Sequence, residues 1–184
     1  SDIELWLIDY DRVEQKNTAS QFHARGGVGK NKTESLKSAV AFLWGAGARI
    51  ETRPVRLVEA NVRELTGGAA LVIDCLDNGA SRRVLQVNER HWSAPHTAQL
   101  LHGALAAGAA YGRVVWAHKF EIDDEPVGPG AVVATCEDGV ALPFIATVAG
   151  YIAQSAQEFL ASNGTKKTGW EGHPGGAIAR DMST

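Results

Sequence analysis

Leu71-Val72-Ile73-Asp74-Cys75-Leu76-Asp77-Asn78 is the stretch on which the fold of this chain turns. An apolar run without polar alternation is the pattern of a strand covered on both faces, as in a parallel sheet. This one stops in an acid, and three residues on come a second acid and an amide. Leu7-Ile8-Asp9-Tyr10-Asp11 ends in the same way. Between the two, Gly29-Lys30-Asn31-Lys32 stands directly before a helical pattern. In open α/β sheets, ligands bind beyond the carboxyl ends of the strands. Acids and a lysine gathered there suit a ribose, a metal ion and a polyphosphate.

Outward from these anchors, Ile3–Asp9 reads as a strand buried on both faces, and 10–29 as a long polar loop. Leu36, Ala39, Val40 and Leu43 have the spacing of an amphipathic helix over Lys32–Leu43. Asn31 is its N-cap, with Glu34 the capping-box partner and Gly45-Ala46-Gly47 the stop. Arg49–Leu57 reads as an edge-prone strand interrupted by Pro54, and Glu59–Leu65 as a short helix. Ala69–Cys75 is the second buried strand and Ser81–Trp92 a helix. Gln99–Ala106, Arg113–Trp116 and Ala131–Thr135 read as strands, and Ala141–Leu160 as the last long helix. Residues 163–184, rich in Gly, Lys and Thr, are expected to be a flexible tail or docking arm beyond a domain at 1–162. Strands alternating with helices in the first half argue for a parallel sheet with right-handed crossovers.

At 184 residues the chain is expected to form one domain that buries roughly 70% of its unfolded surface. A net charge of −3 and a pI near 6.1 provide no electrostatic footprint for nucleic acid. Cys75 and Cys136 fit no C-x-x-C spacing, so neither structural zinc nor a disulfide framework is expected. A reduced, cytoplasmic setting follows as the default. The longest apolar stretch, Ala141–Ala153, is too short to cross a bilayer and carries Pro143 and Gly150. The six histidines form no ligand spacing and read as surface or core residues. Cys75 reads as a small buried hydrophobe, and Trp6, Trp44, Trp92 and Trp116 as core. Asp74 reads as structural, tying down the loop that follows it.

The ordered motifs resemble those of the ThiF/MoeB/HesA family, relatives of ubiquitin-activating enzymes, from about Leu5 to Leu160. Ile8-Asp9-Tyr10-Asp11-x-Val13 is similar to the family's aspartates after its second strand. Asn17-x-x-x-Gln21 resembles its Asn-x-x-Arg-Gln motif, and Val28-Gly29-x-x-Lys32 its Gly-x-x-Lys segment. Asp74-Cys75-x-Asp77-Asn78-x-x-x-Arg82 resembles its Asp-x-x-Asp-Asn turn. Thr135-Cys136-Glu137 stands where many members carry a reactive cysteine. The resemblance implies an α/β fold with a Rossmann-like, mostly parallel sheet flanked by helices. It also implies ATP-dependent adenylation of the C-terminus of a ubiquitin-like or sulfur-carrier protein, by a homodimer using Mg²⁺.

Carried over residue by residue, the resemblance implies that Asp9 holds the ribose hydroxyls while Asp11 assists ribose or metal binding. Asn17 and Gln21 face the phosphates, Lys32 contacts them, Asp77 orients Mg²⁺, and Cys136 forms a thioester or acyl-disulfide. Elementary chemistry agrees. A carboxylate accepts from two neighbouring hydroxyls, and Mg²⁺ takes one or two carboxylates plus substrate phosphates. A first-turn lysine adds to a helix N-terminus that favours anions by roughly 0.3–1 kcal/mol.

Two departures stand out. Ser20 occupies the place of the family arginine, removing a fork of donors from the transferring phosphate. The family's opening strand, Gly-x-Gly-x-x-Gly turn and helix have no counterpart here. We expect the native protein to carry such a turn upstream of Ser1; a partner chain that supplies it, or a degenerate site, are the alternatives. A non-catalytic scaffold of the same fold is the competing reading of the function. A dinucleotide-dependent oxidoreductase accounts for Asp9 but not for Lys32 or Asp77-Asn78. Arg25-Gly26-Gly27-Val28-Gly29-Lys30 lacks the preceding strand and following Ser/Thr of a P-loop.

Overall fold

The computed structural model describes residues 3–45, 47–89, 98–106, 109–122 and 141–181. Expectations for Trp92, Ala131–Thr135 and Cys136 lie outside the described residues. The fold class is α/β, and the chain divides into two compact units.

The first unit contains β1 (Glu4–Ile8), α1 (Lys32–Trp44) and β2 (Arg49–Arg53), with two 3₁₀ turns at Gln15–Ala19 and Arg25–Gly27. β1 and β2 pair in parallel, Glu4 opposite Arg49 and Ile8 opposite Arg53. β2 stops at Arg53 because Pro54 has no N–H to continue the ladder. Asn31 caps α1, its side chain accepting from the Thr33 N–H at 2.9 Å. Glu34 does not complete a capping box: its carboxylate accepts instead from the Thr52 hydroxyl on β2. Gly45 ends the helix at φ +83°, a backbone conformation that favours glycine.

Several burial expectations for this unit need correction. Leu5 and Trp6 on β1 are exposed, as are Leu43 and Trp44 of α1. The uninterrupted apolar run of β1 therefore does not report two-sided burial among the described residues. Trp6 instead carries the Arg53 guanidinium over its ring at 4.6 Å.

The second unit holds α2 (Val62–Thr66), β3 (Leu71–Asp74), α3 (Gly79–Glu89), β4 (Gln99–Leu105), β5 (Gly112–Trp116), α4 (Leu142–Ala161), β6 (Thr168–His173) and β7 (Gly176–Asp181). Its sheet runs in the order β3-β4-β5-β6-β7. β3 and β4, joined through α3, are parallel, whereas β5, β6 and β7 each pair antiparallel with their neighbours. The parallel reading thus applies to β1–β2 and β3–β4, whereas β5 and β6 pair antiparallel although α4 lies between them in the chain.

Val148 and Phe159 of α4 pack in one cluster with Leu101, Val114, Trp116 and Trp170 of the sheet. Gly103 and Gly112 let the helix come close: a Cβ on Gly103 would collide with Ile152, and one on Gly112 would lie 2.7 Å from Val148.

Residues 168–181, expected to belong to a flexible tail, form the β6–β7 hairpin instead. Few apolar residues are needed there because one of them, Trp170, is fully buried. It stacks on Tyr151 with ring centroids 4.7 Å apart. Polar ties do the rest: Trp116 donates to the Thr168 carbonyl at 3.0 Å, and Thr168 donates to Glu158 at 2.6 Å. The boundary expected at 162 therefore does not separate the hairpin from the sheet.

Candidate functional site

In the first unit the sequence folds Asp9, Asp11 and Lys32 together through one asparagine. Asn31 Nδ2 donates to the carbonyls of both Asp9 and Asp11 at 3.0 Å each, while its Oδ1 caps α1. One side chain thus fixes the strand end to the helix start. The Lys32 N–H donates to the Asp11 carbonyl at 2.9 Å, tightening the same junction. Asp9 Oδ1 accepts from the Asp11 N–H at 2.8 Å, which orients its carboxylate. Lys32 Nζ lies 3.1 Å from Asp11 Oδ2, with the carboxylate nearly half exposed. This pair is wet enough to exchange partners, since exposed ion pairs contribute about 0–1 kcal/mol.

The other predicted residues of this unit sit differently. Asn17 is buried in the first 3₁₀ turn, where its side-chain oxygen accepts from the Glu14 N–H at 2.8 Å. Gln21 is half-buried, its N–H donating to the Asn17 carbonyl at 2.9 Å. Ser20 is buried and its hydroxyl has no hydrogen-bond partner among the described residues.

His23, read from sequence as a bland residue, belongs to the Lys32 neighbourhood. Its Nδ1 lies 3.2 Å from the Ser35 hydroxyl. Burial lowers its pKa, the Lys32 ammonium lowers it further, and the Asp9 carboxylate opposes them. A Cβ on Gly27 would run into that same Ser35 hydroxyl, so glycine is required for the loop to close over α1.

In the second unit the Asp-x-x-Asp-Asn turn leaves β3 and opens α3. Asn78 Oδ1 accepts from the Ser81 N–H at 2.8 Å, capping the helix. Asp77, one residue earlier, is exposed, and among the described residues the Asn78 amide approaches it at 3.3 Å. An exposed carboxylate at a helix start is a hard oxygen ligand, though alone it makes no dedicated cage. Among the described residues no group of three metal-ligating side chains occurs. The donor set therefore fits a magnesium ion that arrives with phosphate oxygens, the usual mode for that ion.

Asp74 is buried and does tie down the loop: its Oδ1 accepts from the Leu76 N–H at 2.8 Å. Its Oδ2 faces His102 Nδ1 and lies 3.7 Å from Arg82 Nε. Arg82 donates to the Leu76 carbonyl and, at 3.1 Å, to the Gly103 carbonyl. His102 is fully buried and stacks on Phe120, ring centroids 4.1 Å apart. Sequence reading missed it, although a histidine inside the apolar run Leu100-Leu101-His102 signals a buried partner. That partner is fixed by strand register, which sets Asp74 opposite His102.

Cys75, expected to be buried, is exposed. Protein atoms nonetheless crowd its thiol, and this desolvation, aided by the Asp74 carboxylate and opposed by Arg82, pushes its pKa up to about 11. It is a protonated, unreactive thiol at neutral pH. Trp6 and Trp44 are exposed, while Trp116 and the unforeseen Trp170 are core.

A molybdopterin-synthase adenylyltransferase of Salmonella typhimurium is 31% identical over 180 residues, spanning 90% of this chain and 66% of that protein. A SAMP-activating enzyme E1 of Haloferax volcanii is 35% identical over 105 residues, spanning 55% of this chain and 36% of that protein. The chain thus matches little more than a third of the archaeal relative's length and just under two thirds of the bacterial one's. In fold, the chain resembles a solved structure of E. coli MccB with MccA-N7isoASN. The TM-score is 0.70 at 14% identity, covering 97% of this chain and 57% of that one. The family model of ThiF matches residues 4–171, and the chain belongs to the ThiF family.

Proposed function

We propose that this chain carries the adenylation machinery that activates the C-terminus of a ubiquitin-like or sulfur-carrier protein. The observation that supports this most is the junction of Asp9, Asp11 and Lys32 knotted by Asn31 at the start of α1. It provides an oriented carboxylate for vicinal hydroxyls and a cation for phosphate at a helix N-terminus. Relatives named as a SAMP-activating enzyme and as a molybdopterin-synthase adenylyltransferase point the same way.

In the reaction, a carboxylate oxygen of the modifier attacks the α-phosphorus of ATP and the bond to the β-phosphate oxygen breaks. The products are acyl-adenylate and pyrophosphate. Asp9 accepts from the ribose hydroxyls and Lys32 leaves Asp11 to meet the phosphates. Asp77 would hold Mg²⁺, which when bound would supply positive charge to phosphate oxygens. No general base is required, because positioning and charge stabilisation suffice for such a transfer. Asn17 and Gln21 shape the loop beside the phosphates, Asn17 by capping the turn rather than by reaching out. Cys136 is the acceptor of the acyl group: its thiolate attacks the acyl-adenylate carbonyl, expelling AMP and forming a thioester. We assign the working protein to a homodimer, as the family resemblance implies, in the reduced cytoplasmic setting that its cysteine usage suggests.

Modifier-dependent ATP–pyrophosphate exchange tests the reading. Asp77→Ala is expected to abolish most exchange, and Cys136→Ala to leave exchange intact while removing the covalent modifier adduct. Exchange indifferent to Asp77→Ala would remove the metal role. A non-catalytic scaffold is the second reading, favoured by Ser20, whose buried hydroxyl stands unpaired among the described residues in the family arginine's place. Nucleotide or partner binding without exchange would favour it.

A further inference from the structure

We infer that His102 is a positioning residue for Asp77, fixing through Asp74 and Leu76 the loop that presents the carboxylate. The inference rests on the nucleotide reading above, since it assigns Asp77 a ligand to hold.

The wiring is continuous. Leu76, which immediately precedes Asp77, is gripped on both sides of its backbone. Its N–H donates to Asp74 Oδ1, and its carbonyl accepts from the Arg82 guanidinium. Arg82 is itself held by the Gly103 carbonyl on β4. The other oxygen of the Asp74 carboxylate meets His102, which fixes the orientation in which Oδ1 accepts from Leu76. Asn78 then fixes the far side of Asp77 through the cap on α3. Asp77 is thus an exposed side chain on a backbone pinned at both flanks.

Hydrogen bonding also sets the tautomer of His102. Gln86 Nε2 donates to the Phe120 carbonyl at 3.0 Å, so the amide turns its N–H side, and not its oxygen, toward His102 Nε2 at 3.5 Å. Nε2 is therefore the accepting nitrogen. The ring proton sits on Nδ1 and is donated to Asp74. The Arg82 guanidinium, its Nε 3.7 Å from the same Asp74 oxygen, places positive charge beside this buried carboxylate. Stacking on Phe120 keeps the ring in plane for both contacts.

The test uses the protein titrated with Mg²⁺ at fixed ATP, read as nucleotide binding. Groups that orient a metal ligand are worth about 10–100-fold in metal affinity. His102→Phe keeps the stacking ring but removes the donor, and is expected to raise the half-saturating Mg²⁺ about tenfold. Affinity for metal-free ATP should not move. His102→Asn places an amide nitrogen where Nδ1 was and should restore the wild-type Mg²⁺ dependence. His102→Gln, whose amide falls at the Nε2 position, should not.

If His102→Phe does not fold, the Asn and Gln variants decide the matter between them. Equal Mg²⁺ dependence in those two, or wild-type dependence in His102→Phe, overturns the inference. Indifference of ATP binding to Asp77→Ala would instead overturn the nucleotide reading beneath it. Nitrogen NMR of the wild type should show the proton on Nδ1 of His102, and a proton on Nε2 alone contradicts the wiring.

Discussion

After β1 the chain turns on Asp9, whose carboxylate stays accessible, while Asn31 donates to the carbonyls of Asp9 and Asp11. After β3 it turns on Asp74, whose carboxylate is fully occupied inside the protein by His102, Arg82 and the Leu76 N–H. The two strand ends look alike in sequence, yet the acid is the ligand candidate in one and the scaffold in the other. In the second turn the proposed ligand is Asp77, three residues along, and the Leu76 that precedes it is held by Asp74 and Arg82. What separates them is the neighbouring element. A helix N-cap supplies amide donors to the first turn, and a buried histidine and arginine supply charge and donors to the second.

Removing the scaffold acid should cost most. Asp74→Ala leaves Arg82 buried without its counter-charge, and breaking a buried pair in this way costs about 3–5 kcal/mol. Denaturant unfolding should show that loss, whereas Asp77→Ala stays within about 0.5 kcal/mol of wild type as a surface change. Equal stability of the two variants would erase the distinction between the turns.

Asn31→Ala comes next. It removes an N-cap together with both bridges to the first turn, and should cost about 1–2 kcal/mol by the same measurement. Lys32→Ala is expected to change stability by about 0–1 kcal/mol, because the Asp11 ion pair is solvent-screened. Its effect belongs to nucleotide affinity, measured by titration calorimetry, and a variant that binds ATP as wild type does would detach Lys32 from the phosphates.

The smallest effect is a dependence on pH. The pKa of His23 is lowered in the folded chain, so the unfolded chain binds its proton more tightly. Stability from this group is complete above the ordinary imidazole range and is lost as pH falls toward its lowered folded value. His23→Gln should flatten that part of the melting profile. A triphosphate beside Lys32 would reverse the field, so ATP binding should be accompanied by proton uptake at mildly acidic pH.

Much of this was legible in the sequence, and the exceptions have physical causes. Caps, glycines and apolar periods located α1, α3, α4 and β3 to β5, because those signals are local. Asp77-Asn78 was readable because the Asp-x-x-Asp-Asn spacing at the end of an apolar run is itself a local signal. His102 was not, since its partner Asp74 lies 28 residues away and is chosen by parallel register. The β6–β7 hairpin escaped notice because its anchor is one buried tryptophan among glycines and polar residues, held by Glu158 and the Trp116 indole. Burial of β1 was over-read, since a continuous apolar run reports what a strand can tolerate and not what covers it.

Titration calorimetry of the protein with ATP and Mg²⁺, repeated with Asp9→Ala and Asp77→Ala, tests the central claim most directly. Saturable binding of one nucleotide per chain, weakened by each substitution while both variants keep their fold, is the predicted result. Binding that neither substitution alters would contradict it.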